Sequence, residues 1–305
     1  MPITRREFAQ AGMATAALAS IGGPAVTADN PLIRRPIPSS GETVPVIGLG
    51  TNRYGVGNDK ELRVPLRESL NKFHQLGGAV IDTAPGYRSS EQVLGELIGD
   101  LGIGKDLFMA TKIDRDDRAS DIDRMQRSLR LLRVSAIDLM QCHNLIGWEI
   151  AIPLLREWKQ AGAIRYLGIT TSRQRQYGLM EKIMKTHDLD FVQINYSLAD
   201  QRESAERLLP LAAERGMAVM VNRPFGGGNV FKRLNKMTLP DWAAEFDCDS
   251  WSQFLLKYVL SHPAVTCTIP GMTKARHVVD NMAAGSGRMP TADLRRRQEQ
   301  YFDAL

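Results

Sequence analysis

Cysteine is scarce in this chain. Cys142, Cys248 and Cys267 are the three among 305 residues, with no CxxC pair and no disulfide framework. A disulfide-stapled scaffold is therefore excluded, and no metal-ligand cluster is expected. Cys142 and Cys267 fall in apolar, strand-like runs and read as buried free thiols. Aromatics make up 7% of the chain, and the basic excess behind a net charge of +5 is scattered rather than clustered with them. That pattern excludes a nucleic-acid surface and leaves weak steering of an anionic cofactor as the role of the charge. Arg34-Arg35 and Arg295-Arg296-Arg297 read as solvated termini. No G-x-G-x-x-G follows the first strand-like run, which argues against an open dinucleotide-binding sheet. No repeated sequence unit is detectable.

The N-terminus carries a signal of its own. Thr4-Arg5-Arg6-Glu7-Phe8 precedes an uncharged run of small residues from Ala11 to Ala28, closed by Val26-Thr27-Ala28. This is the layout of a twin-arginine export signal: a charged segment, a weakly apolar segment and a small-residue cleavage site. The run is too rich in Ala, Gly and Thr for a membrane span, so no stable membrane association is expected. Residues 1–28 are read as a signal peptide that hands a folded protein to the Tat export machinery, with the periplasm as destination.

The remainder alternates. A Pro-rich lead-in over 29–43 turns at Ser40-Gly41, and Val44 to Leu49 reads as a first strand. Helix 61–76 follows, then strand 79–82 and helix 91–99. Strand 107–112 precedes helix 121–132, with Ser120 as its cap. The pairs 136–142/149–161, 164–169/173–185 and 190–194/201–214 continue the series. Strand 217–222 leads into a long connection, 223–249. Helix 250–260, strand 264–269 and helix 274–283 complete it, and 285–305 reads as an exposed tail with a short basic helix. Eight strand-then-helix units without a linker predict an α/β fold, a single-domain (β/α)8 TIM barrel spanning 44–284.

Side chains at the C-terminal strand ends of such a barrel converge on one mouth. The second strand ends at Asp82, and Pro85-Gly86 turns the chain so that Tyr87 stands beside it. The third ends at Lys112 and the fourth at His143. A strand-end lysine is costly to bury unless paired, and Asp82 on the adjacent strand is its expected partner. An ammonium beside a phenol is expected to lower the phenol's pKa and make Tyr87 a general acid toward a carbonyl oxygen. His143 would orient that carbonyl.

With these residues in place, the chain resembles the aldo-keto reductases. The matching stretches are Val46-Ile47-Gly48-Leu49-Gly50-Thr51, Asp82-Thr83-Ala84 with Tyr87, Ser90 and Glu91, and Thr111-Lys112. Further on come Ile137-Asp138-Leu139 with His143, Ile164 to Gly168, Val192 to Ser197, and Ile269-Pro270-Gly271 with Asp280-Asn281. The resemblance covers nearly all of the chain after residue 28. It implies reversible hydride transfer between a nicotinamide, NADPH (NADP) rather than NAD, and a small-molecule aldehyde or ketone, with Asp82, Tyr87, Lys112 and His143 as the catalytic tetrad.

The resemblance also implies a cofactor site, and this sequence departs from the family there. Gln193 matches the residue that meets the nicotinamide carboxamide, but the Ser-Asn pair sharing that task is Thr170-Thr171. The aromatic that stacks on nicotinamide is missing; Asn222-Arg223-Pro224-Phe225-Gly226 stands in its region, and Arg223 could stack or reach a phosphate. Gly226 and Gly227, with Gly228, would admit a pyrophosphate to backbone N–H groups. Thr273, Lys274 and Arg276 would hold the 2′-phosphate and adenosine, with Asn281 toward adenine. Arg88 replaces the Gly that commonly follows the tetrad Tyr, and Trp148 is a candidate pocket wall. Two other readings stay open: an exported nicotinamide-binding barrel with little turnover, acting as a sensor or partner subunit, and a lyase using Lys112 as a Schiff-base nucleophile.

Overall fold

The computed structural model describes residues 31–200 and 202–305, so the expected export signal over 1–28 lies outside the described residues. A hairpin comes first: β1 (Arg34–Pro36) pairs antiparallel with β2 (Thr43–Pro45) around a turn that places Gly41 at φ 76°. The expected first strand is therefore divided. Val44 belongs to the hairpin, and the barrel strand proper is β3 (Leu49–Gly50).

From there strands and helices alternate. They are α1 (Lys60–Gln75), β4 (Val80–Asp82), α2 (Ser90–Leu101), β5 (Phe108–Ile113), α3 (Arg118–Leu132), β6 (Ile137–His143) and α4 (Trp148–Gln160). Next come β7 (Ile164–Thr171), α5 (Tyr177–Thr186), β8 (Phe191–Asn195), α6 (Glu203–Glu214) and β9 (Ala218–Asn222). The chain closes with α7 (Val230–Leu234), α8 (Trp251–Leu260), β10 (Cys267–Thr268), α9 (Ala275–Ala283) and α10 (Ala292–Asp303). The long connection over 223–249 holds α7 and a 3-10 turn over Asp241–Phe246.

Strands β3 to β10 are parallel and hydrogen-bonded in chain order. Bridges from Ile47 to Thr268 and from Gly50 to Gly271 join the two edges, which closes the barrel. Strand periodicity of two then sorts every side chain. Val80, Phe108, Ala110, Leu139, Tyr166, Phe191, Ala218, Met220, Cys267 and Ile269 point inward and form one cluster with Ile37 and Val44 of the hairpin. The hairpin therefore plugs the N-terminal end of the barrel, and the Arg35 guanidinium fixes it there by donating to the carbonyls of Leu260 and His262, at 2.5 and 3.2 Å. The outward-facing residues, such as Ile81, Cys142, Ile169 and Val192, join the larger layer between strands and helices. Each fully buried side chain of that size stabilises the fold by roughly 1.5–3 kcal/mol.

Helix starts follow local chemistry. Asp59 caps α1 by accepting from Leu62 N at 3.0 Å. At α3 the cap is Asp117, which accepts from Ser120 N at 2.8 Å, three residues before the Ser that was expected to do so. Nor is the C-terminal segment an exposed tail. Phe302 is buried, Gln298 donates to Phe254 O at 2.9 Å, and the Arg297 guanidinium lies 4.4 Å over the Trp242 ring. Its apolar positions fall at a helical period, so the segment docks a face onto α8 rather than extending into water. All three cysteines are free and buried.

Candidate active site

The inward parity of the strands carries polar residues only near the C-terminal ends, and these gather at one mouth. Asp82 ends β4, Lys112 lies near the end of β5, and Gln141 and His143 share the inward face of β6. Thr170, Gln193, Asn195 and Asn222 continue the ring on β7, β8 and β9.

Lys112 and Asp82 form its base. The ammonium donates to both carboxylate oxygens at 2.8 Å and to Thr83 O at 2.7 Å, with both side chains essentially sealed from solvent. Burial pulls the Lys112 pKa down, but the Asp82 charge, with Tyr87 and Glu91 adding to it, leaves it above the ordinary lysine value. The lysine is a fixed cation with all three protons engaged. A lyase nucleophile needs a free amine, so this geometry argues against a Schiff base at Lys112.

Tyr87 stands half-buried above the pair, with Lys112 Nζ 5.5 Å from its ring centroid. A turn closed by Tyr87 N donating to Ala84 O at 3.0 Å sets its position. The Lys112 charge lowers the phenol's pKa, as expected from sequence, but burial and the Asp82 carboxylate outweigh it and the net shift is upward. The ammonium remains the strongest single influence on the phenol, but burial and, less strongly, the Asp82 carboxylate together exceed it. Tyr87 is thus held protonated, a donor rather than a phenolate.

His143 meets Tyr87 edge-on, ring centroids 6.3 Å apart at 89°. Burial first, then the Lys112 charge, push its pKa down to about 4, so the ring is neutral. Its buried Nδ1 has no partner within the protein. The loop that follows places Asn144 and Leu145 at φ 54° and 56°, and Arg88 and Arg223 are also left-handed. Four such non-glycine residues just past strand ends mark the mouth as a place where backbone strain is stored.

Gln141 is the residue that sequence reasoning passed over. It is fully buried, lies 3.3 Å from Asp82 Oδ1 through Nε2, and leaves Oε1 without a partner. It shares parity with His143, so a two-residue count back from that histidine would have found it. Gly168 makes the room, since a Cβ there would meet Gln141 Cγ at 3.3 Å and Phe191 O at 2.8 Å.

The expected cofactor residues divide. Gln193 is buried among the ring, its Nε2 donating to Asp82 Oδ1 at 2.8 Å and its Oε1 accepting from Thr170 at 3.0 Å. Thr171 is not brought to the mouth. It lies on the outward parity of β7, and its hydroxyl donates to Gln176 Oε1 at 2.5 Å. Arg223 is exposed and folds over the glycines, so that a Cβ at Gly227 would meet its Nη2 at 2.9 Å. Phe225 packs on Phe231, centroids 5.0 Å apart. Gly226 lies against the Asp200 carboxylate, which a Cβ there would approach to 2.8 Å. A phosphate would be repelled at that point, which leaves Gly227 and the open Gly228 as the approach. Thr273, Lys274 and Arg276 lie at the start of α9, half-buried, exposed and exposed in turn, while Asn281 is on its buried face with Val278 and Met282. Trp148 does not line the mouth; it stands edge-on to His187 at 5.6 Å and packs against the core between helices.

Whether a nicotinamide dinucleotide fits can be judged from what the ring leaves unpaired. Asn195 Oδ1, Asn222 Oδ1 and Gln141 Oε1 are buried acceptors with no partner. An amide-bearing ring would supply the missing donors. The exposed Lys274 and Arg276, together with the unfilled N–H groups of the α9 start, suit phosphate. The residues fit the group. Among the described residues no set of His, Cys, Asp and Glu could hold a metal ion, and no helix is long and apolar enough to cross a membrane.

Comparison with known proteins points to one family. The model of the Aldo/keto reductase family matches residues 46–300. An uncharacterized oxidoreductase of Bacillus subtilis, YqkF, is 25% identical over 297 residues, covering 85% of this chain and 93% of that protein. The holo form of an aldo-keto reductase from Bacillus halodurans superposes with a TM-score of 0.73 at 25% identity, covering 89% and 96% of the two chains. A Klebsiella pneumoniae aldo/keto reductase in complex with NADP and acetate shares the fold at a TM-score of 0.70 and 23% identity, over 86% and 93%.

Proposed function

The chain belongs to the Aldo/keto reductase family, and we propose that it reduces an aldehyde or ketone to an alcohol, with NADPH as reductant and Tyr87 as proton donor. The observation that carries this is the sealed Asp82–Lys112 pair beneath a protonated phenol, with a neutral imidazole edge-on to it. A bound nicotinamide supplies the hydride.

The protein's own residues do the rest. Tyr87 gives its proton to the carbonyl oxygen as negative charge develops there. Lys112 stabilises the tyrosinate left behind, and Asp82 keeps Lys112 charged and aimed. Neutral His143 donates a hydrogen bond from Nε2 to the same oxygen and fixes its approach, while its buried Nδ1 carries no proton. Gln193 and Asn195 would hold the carboxamide, and Lys274 and Arg276 support NADP over NAD through the additional phosphate. Loss of NADPH absorbance with a panel of small aldehydes and ketones tests the proposal. Tyr87→Phe should slow that loss by roughly 10²–10⁴, and a wild-type protein silent on the whole panel would overturn the reading.

A specific observation favours a second reading, a cofactor-binding barrel with little turnover: the stacking aromatic is absent, and exposed Arg223 lies over the glycines in its region. Micromolar NADPH binding without consumption on the same panel would select it. The Arg5-Arg6 segment with its small-residue run supports export through the Tat machinery to the periplasm. Fractionation of cells carrying the intact chain or an Arg5→Lys, Arg6→Lys variant tests that part.

A further inference from the structure

The rim above Tyr87 and His143 is cationic, and its cations are uncommitted. Arg88 directly follows Tyr87 at φ 56°, a left-handed conformation that strains a residue bearing a Cβ and that glycine adopts freely. The loop after β3 lies against it. A Cβ at Gly55 would come within 2.8 Å of Arg88 Cβ, and Gly57 N donates to Ser89 Oγ at 2.8 Å. Arg53 is in that same loop, two residues before Gly55. On the other side Arg173 follows β7, and Gln176 Nε2 ties its loop to the His143 loop by donating to Asn144 O at 2.9 Å.

All three arginines are exposed. Of the nearby carboxylates, Asp114 faces Arg124 at 3.1 Å and Arg115 at 3.8 Å, Asp59 caps α1, and the exposed Asp116, beside Gly147 of the His143 loop, pairs with none of the three arginines. Among the described residues, no carboxylate lies within ion-pair distance of Arg53, Arg88 or Arg173. Strain kept at Arg88, with three free guanidiniums flanking the acid donor, is what an anion-recognising rim requires.

We propose that the carbonyl substrate carries an anionic group, a carboxylate or a phosphate, gripped by Arg88, Arg53 and Arg173 while its carbonyl lies between Tyr87 and His143. This rests on the reductase reading. Two matched pairs test it: 4-oxobutanoate against butanal, and glyceraldehyde 3-phosphate against glyceraldehyde, each with NADPH in low salt. At least one anion should exceed its neutral partner in kcat/KM by about tenfold or more, as expected of one charge-assisted contact. Which pair shows the larger ratio separates carboxylate from phosphate. The ratio should fall toward unity in Arg88→Gly, which also relieves the backbone, and in Arg173→Gln, and should fall with added salt. Binding of the same four compounds to protein with and without oxidised NADP, read by tryptophan fluorescence, needs no turnover. Turnover without anion preference overturns this proposal and leaves the reductase reading standing. Arginine-dependent anion binding without turnover supports the rim's grip on the anion and overturns the reductase reading, and with it the carbonyl as the anion's reacting end. Neither turnover nor anion binding overturns both.

Discussion

Gln193 donates from Nε2 to Asp82 Oδ1 at 2.8 Å, which links the residue expected to meet nicotinamide directly to the carboxylate beneath the acid donor. The same oxygen accepts from Lys112 at 2.8 Å and lies 3.3 Å from Gln141 Nε2. Two amides on different strands therefore steady one carboxylate. The proposed hydride side and proton side of the mouth would share that carboxylate as a common support.

Truncation of Gln193 to Ala should weaken both sides at once. A hydrogen bond to a charged group contributes about 1.5–3 kcal/mol, so cofactor affinity and kcat should each fall by roughly tenfold or more. Cofactor titration with single-turnover kinetics reads the two separately. A change in affinity alone would mean that the contact with Asp82 is idle.

Lys112→Met leaves Asp82 buried without its cation. Removing one partner of a sealed pair destabilises by about 3–5 kcal/mol, so the urea midpoint should drop well beyond experimental scatter. An unchanged midpoint would contradict the buried pair.

Tyr87→Phe removes only the phenol oxygen, from a half-buried side chain. Turnover should fall by roughly 10²–10⁴, the usual range for losing a general acid, with cofactor binding retained. Fluorescence titration with NADPH alongside the rate assay distinguishes this from misfolding.

The pH profile follows from the two shifted groups. His143 titrates near 4 and Tyr87 above the ordinary tyrosine value of 10.0, so kcat/KM should be level across neutral pH, with an acid limb near 4 and an alkaline limb beyond 10. For stability the sign is separate. His143 binds its proton less readily when folded, so its contribution is complete above the unfolded value near 6.5 and is lost as pH falls toward 4. An alkaline limb near 8 would show that the Lys112 charge prevails at the phenol after all.

Gly168→Ala should cost about 1–3 kcal/mol by overpacking, because its Cβ would press on Phe191 O at 2.8 Å, a backbone atom unable to turn aside. Activity should fall as well, through displacement of Gln141. Thermal unfolding and the rate assay check both.

The sequence by itself determined the fold and the four strand-end groups, because both depend on short-range rules. Apolar runs of strand length alternating with helical periods require a parallel barrel, and a barrel sends its strand ends to one mouth. Asp82, Tyr87, Lys112 and His143 were legible for that reason. Only the tertiary structure decided how their charges balance. Lys112 does act on Tyr87, but the burial of the phenol and the Asp82 carboxylate, both set by packing between strands, together outweigh it and turn the phenol's direction against the sequence expectation. Parity likewise separated Thr170 from Thr171, and packing docked the short helix expected in an exposed tail onto α8 as α10. For Gln141 the sequence offers only its two-residue spacing from His143, and its role beside Asp82, at 3.3 Å, exists only once the barrel closes.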